Sequence, residues 1–103
     1  MGCVDPTRVS ELLFGRKCRL AVAAWVLRHP KGRFFQSEPR DIEHASTSNI
    51  VDELGRLVQL GMLETERPED SRRVYYVRTN SPLWDIVTAA LAAIEEELHN
   101  SDW

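Results

Sequence analysis

The stretch that most constrains the fold is residues 46–78, where one amphipathic pattern gives way across a glycine to two β-rich runs. Ser46-Thr47-Ser48 offers side-chain oxygens that can cap free helical N–H groups. Ile50, Leu54, Leu57, Val58 and Leu60 then recur at helical spacing, which predicts a helix from about Ser48 to Leu60 with those residues facing the core. Gly61 is the expected stop, in a left-handed conformation that suits a residue without a Cβ. Leu63 to Arg67 and Arg73 to Arg78 read as extended, and Pro68-Glu69-Asp70-Ser71-Arg72 supplies turn residues between them. The pair therefore predicts a β-hairpin directly after the helix.

Punctuation upstream divides the rest. Asp5-Pro6 signals a first helix, Val9, Leu12 and Leu13 give it an apolar face, and Gly15 stops it. A second helix is expected from about Arg16 to Arg28; it is apolar most of the way round and should be the central buried one. His29-Pro30-Lys31-Gly32 ends it, and Arg33-Phe34-Phe35-Gln36 reads as a brief strand. Ser37-Glu38-Pro39 opens a short third helix, about Pro39 to His44, with Ile42 and Ala45 as its narrow apolar face. Ser81-Pro82 opens a long last helix with a stripe of Leu83, Ile86, Val87, Ala90, Leu91, Ile94 and Leu98.

The order is helix, helix, short strand, helix, turn, helix, hairpin, helix. A short helix, a polar turn and a longer helix form a helix-turn-helix unit, and the hairpin that follows is a wing. LFGRKCRL at Leu13 to Leu20, SNIVDELGRLVQLGMLE at Ser48 to Glu64 and RRVYYVRTNSPLW at Arg72 to Trp84 carry a resemblance over about residues 10–95. The chain resembles the winged-helix regulators of the arsenic-repressor-like (ArsR) and multiple-antibiotic-resistance-repressor-like (MarR) families. The resemblance implies a mostly α, winged helix-turn-helix transcription regulator that binds double-stranded DNA.

With 103 residues, one domain over 1–103 is expected, its core at about 6–80 and a terminal dimerisation helix at about 82–100. The net charge of −3 argues against nucleic acid until its distribution is read. Residues 1–84 hold all 13 Lys and Arg and 11 of the 16 acids, a balance of +2. An α-helix fits the major groove and its first exposed side chains reach base edges. Those would be Thr47, Ser48, Asn49, Val51 and Asp52, with Arg56 near a phosphate. Arg72 and Arg73 at the wing would reach a phosphate or the minor groove, and Arg40 would bind backbone phosphate. Asp52, Glu53, Glu69 and Asp70 oppose this with negative charge; they favour an alternative, a winged-helix protein-interaction module that does not bind DNA.

The last helix carries more apolar surface than a three-helix core needs, and Ala89, Ala90, Ala92 and Ala93 permit close helix approach. In the resembling families terminal helices commonly form the dimer interface. A homodimer through Leu83, Ile86, Val87, Ala90, Leu91, Ile94 and Leu98 is therefore expected. It would set two recognition helices about 34–36 Å apart, the spacing of successive major grooves. A small-molecule pocket between the dimer helices would suit that reading.

Metal sensing, as in many arsenic-repressor relatives, needs three or four convergent ligands. The segment EPRDIEHAST has one His and no Cys, while Asp85 and His99 stand fourteen apart, so no metal is expected. Cys3 and Cys18 lack CxxC spacing and read as reduced thiols. No nucleophile–base constellation, phosphate loop or dinucleotide fingerprint stands out, so neither an enzyme nor a cofactor is expected. MGCVDPTRVSELLF has no basic start followed by an apolar run, and no run approaches a bilayer span; a cytoplasmic, nucleoid-associated protein of bacterial type is expected.

Overall fold

The computed structural model describes residues 6–69 and 72–100, with side chains to residue 95. The readings placed on Cys3, Asp5, Asp70 and Ser71 lie outside these residues, as do those placed on the side chains of Leu98 and His99. Among the described residues there are four helices and one three-stranded antiparallel sheet. In chain order they are α1 (Pro6–Phe14), α2 (Arg19–Arg28), β1 (Arg33–Phe35), α3 (Thr47–Gln59), β2 (Leu63–Glu66), β3 (Tyr75–Arg78) and α4 (Leu83–Asn100).

α2 is the central helix, with Leu20, Val22, Ala23, Ala24 and Val26 buried. It starts three residues later than the periodicity predicts. Gly15 takes a φ of 85°, and residues 15–18 reverse the chain before the helix begins. Ser10, a polar residue that is 1% exposed, holds this reversal together. Its hydroxyl donates to the Arg16 carbonyl and accepts from the Leu20 N–H at 2.9 Å, giving an otherwise orphaned first-turn donor a partner. The expected apolar face of α1 is only partly used. Val9 packs on the core, whereas Leu12 and Leu13 are 69% and 64% exposed.

The far end of α2 is closed from the sheet. Arg78 Nη1 donates to the carbonyls of Val26 and Leu27 at 2.8 Å and of His29 at 3.2 Å, satisfying acceptors that a helix end leaves open. Gly32 makes this approach possible. Its φ is 62°, its carbonyl accepts from the Arg78 N–H at 2.7 Å, and a Cβ there would come within 3.3 Å of the Arg78 guanidinium.

The strand order is β1-β3-β2, so the hairpin strands β2 and β3 pair directly and β1 joins the far side of β3. Phe34 lies opposite Tyr76, and Tyr76 opposite Thr65. Phe34 is fully buried, stacks on Tyr76 at 5.7 Å and receives Trp25 edge-on at 5.0 Å, which seats the sheet on α2. Leu54 and Leu63 complete the centre of the core. α4 is fastened by Trp84, which is 6% exposed and donates its indole N–H to the Met62 carbonyl at 3.0 Å.

One expected element is absent. The segment from Pro39 to His44 forms no helix. Asp41 and His44 both take left-handed backbone conformations, at φ 59° and 62°, which no right-handed helix can include. Glu38, the expected helix opener, is turned back instead; its carboxylate accepts from the Phe35 N–H at 2.8 Å and lies 3.5 Å from His29. Ile42 and Ala45 still pack on the core, so the segment covers the same apolar surface without the helix.

Candidate functional site

α3 presents the most strongly amphipathic surface of the molecule. Ile50, Glu53, Leu54 and Leu57 face inward. Ser48, Asp52, Gly55 and Gln59, spaced by four, three and four residues, form the exposed stripe opposite. Thr47 is also exposed, while Asn49 and Val51 flank the stripe half-buried. Ser46 caps the helix by accepting from the Asn49 N–H at 3.2 Å, as its place in the sequence predicts. Leu60, expected in the core, falls at the helix end and is 57% exposed.

Glu53 is not on the exposed face. It is 3% exposed and enclosed by arginines from the turn before α2, from the start of α2 and from α3 itself. Arg16 Nη1 donates to it at 2.9 Å and Arg19 Nε at 2.8 Å, while Arg56 reaches it through Nε at 3.5 Å. Burial would push the Glu53 carboxyl up, but the hydrogen bonds from Arg19 and Arg16, with their charges, outweigh it and hold it below the usual carboxylate range. The hydrogen bond to Glu53 raises Arg16 further above neutrality. Asp52 is left as the one acid on the stripe of α3.

The hairpin adds basic and aromatic groups. Arg72 and Arg73 are both exposed at the β3 end of the turn. Arg73 lies over the Phe35 ring at 4.6 Å, and Arg33 lies over Tyr75 at 4.1 Å while its Nη2 pairs with Glu66 at 3.0 Å. The outward side of the sheet therefore carries two arginine–aromatic stacks. The Arg28, Lys31 and Arg33 cluster and the Val- and Tyr-rich run signal these residues separately, but their contact depends on the register that sets Phe35 opposite Tyr75. Gly55 and Gln59, likewise not singled out in the sequence, follow from the helical spacing of Ser48 and Asp52. Arg40 is exposed, on the irregular segment before α3 rather than at a helix start.

The stripe of α4 divides. Val87 and Ile94 are 6% and 4% exposed, buried in the chain's own core rather than presented to a second copy. Leu83, Ala90 and Leu91 pack beside them, partly buried. Ile86 is 52% exposed, and Ala89, Ala92 and Ala93 face solvent.

Cys18 is buried just before α2, and burial raises its thiol above the usual range. Among the described residues no three His, Cys, Asp or Glu side chains converge to hold a metal ion. No described helix is long and apolar enough to cross a membrane. Comparison with known proteins gives no relative: no protein-family model matches the chain, and no curated protein matches it.

Proposed function

We propose that the chain is a winged-helix regulator that binds double-stranded DNA in a sequence-specific manner, with α3 in the major groove and the β2–β3 hairpin as the wing. The observation that carries this reading is the withdrawal of Glu53 from the surface of α3. The stripe keeps short polar side chains and a glycine, a shape that allows a helix to lie deep in a groove, with two exposed arginines on the adjoining hairpin. Asn49 would pair with adenine, Asp52 would accept from a cytosine amino group, and Val51 would meet a thymine methyl. Thr47 and Ser48 would serve bases or phosphates beside them, and Arg40, Arg72 and Arg73 would hold phosphates. The protein acts through binding, without a cofactor and without catalysis.

A two-fold dimer through α4 fits this function, because it doubles the site and fixes half-site spacing. The exposed Ala89, Ala92 and Ala93 are the face on which two copies of α4 would approach closely.

Titration of a labelled duplex, followed by anisotropy at two salt concentrations, tests the assignment. Arg72→Ala with Arg73→Ala is expected to weaken binding to all sequences and to lower the salt slope by about 2. Asn49→Ala is expected to cost about 1–3 kcal/mol at its cognate base pair and to leave non-specific binding intact. Unchanged affinity in both variants overturns the assignment.

Two observations favour a second reading, the protein-interaction module. The helix that would precede the turn of a helix-turn-helix is missing between Pro39 and His44, and Leu12, Leu13, Leu60 and Ile86 leave large apolar side chains in water.

A further inference from the structure

A cavity of about 390 Å³ opens between the end of α1, one side of α2, the C-terminal half of α3 and the first turns of α4. That volume lies within the range of roughly 300–1,000 Å³ typical of small-molecule sites. Phe14, Leu57, Leu60, Met62 and Ile86 are among its apolar walls, and Arg19, Glu53 and Arg56 form a charged side.

The two parts are unequal in what they leave unsatisfied. Leu60 and Ile86, 57% and 52% exposed, face water where they line the cavity. On the charged side two guanidiniums, Arg19 and Arg56, stand with one carboxylate, Glu53, which Arg16 also holds from outside the cavity lining. Arg16 and Arg19 hold Glu53 at 2.9 and 2.8 Å, whereas Arg56 touches it only at 3.5 Å, with 55% of its side chain exposed. The lining thus holds one more cationic than anionic side chain, and Arg56, the arginine least committed to Glu53, stands beside an open apolar wall.

We propose that this cavity binds an amphiphilic organic carboxylate, its hydrocarbon body against Leu60 and Ile86 and its carboxylate paired with Arg56. A guanidinium matches a carboxylate with two parallel N–H donors, and the apolar walls favour a chain over a small hydrophilic acid. The site stands on the cavity alone and does not require α3 to contact DNA.

The full chain titrated with sodium octanoate below its micelle concentration tests this, with octan-1-ol as the uncharged control. Calorimetry and the methyl resonances of Leu57, Leu60 and Ile86 are the readouts. The expected result is saturable one-to-one binding, with shifts confined to those methyls and octanoate about tenfold tighter than the alcohol, a difference of the size a charge-assisted pair supplies. Arg56→Gln is expected to abolish the preference for the acid and leave alcohol binding unchanged. Ile86→Ser, at an exposed position, is expected to weaken both ligands. No saturable shift, equal affinity for acid and alcohol, or indifference to Arg56→Gln overturns the proposal. So do Leu60 shifts that appear on diluting the ligand-free protein, because they assign the mouth of the cavity to a second copy. No DNA is present, so failure here leaves the DNA reading untouched.

Discussion

Glu53 shows how far a residue's meaning depends on what lies across from it. In the sequence it stands beside Asp52 and reads as a second negative charge on the face of a helix. In the fold it points the other way, into a pocket made by Arg16 and Arg19, more than thirty positions earlier. Helical periodicity alone puts Glu53 on the inward side, next to Ile50, Leu54 and Leu57; nothing local announces the arginines that make burial tolerable. Breaking a fully buried ion pair costs about 3–5 kcal/mol, but both arginines keep about a third of their side chains in water, so Glu53→Gln is expected to cost about 2 kcal/mol at neutral pH. The pH dependence has a definite sign. The folded carboxyl titrates below its unfolded value, so the stability it contributes is fully present above about pH 4.3 and is lost as pH falls further through the folded value. Denaturant unfolding across pH 3–7 checks this: the variant should lose part of the acid-side slope, and an unchanged slope would show that Glu53 is not held in its charged form.

The elements divide into those that periodicity and punctuation reveal and those that depend on tertiary contacts. α2, α3, the hairpin and α4 are legible, because each has a clear apolar pattern and punctuation marks several of their bounds, as Gly15 does before α2 and Gly61 after α3, both at positive φ. β1 is legible as a short aromatic run between turns. The expected helix at Pro39–His44 is not formed, because two left-handed residues and the engagement of Glu38 with β1 override a weak apolar pattern only two residues wide. The candidate surface is legible in part. The capped start of α3 and the arginines of the hairpin can be named, whereas the arginine–aromatic stacks and the enclosure of Glu53 require the sheet register and the packing of α3 on the α1–α2 turn. Within α3, Gly55 stands mid-helix with nothing within 4 Å of where a Cβ would be. Intramolecular packing therefore does not require it, and it costs the helix about 1 kcal/mol relative to alanine. Gly55→Ala is expected to stabilise the fold by about that amount in denaturant unfolding. If α3 lies against a duplex, the same change weakens DNA binding; a stabilised variant with unaltered affinity would argue that this face meets nothing closely.

At the scale of the whole molecule, α4 both completes the core and extends a solvent-facing surface. Trp84, Val87 and Ile94 are committed to the chain's own interior, which leaves Ala89, Ala92 and Ala93 as the helix face available to a second copy. If two copies pair through this face, sedimentation equilibrium gives twice the 11.8 kDa of one chain. Ala93→Arg, at an exposed position, should return it to the monomer mass, and a monomer before substitution would remove the two-fold arrangement altogether. A dimer would matter to the proposed DNA binding, because one α3 surface with a single hairpin would make few phosphate contacts and a second copy would repeat them.

The most direct measurement of the central claim is selection of binding sites from a pool of random duplex DNA by the full chain, at low and moderate salt. The account predicts enrichment of a two-fold symmetric motif with half-sites one helical turn apart, bound less tightly as salt rises. No enrichment even at low salt would contradict it, and would make the apolar residues Leu12, Leu13, Leu60 and Ile86 the surface from which to seek a protein partner.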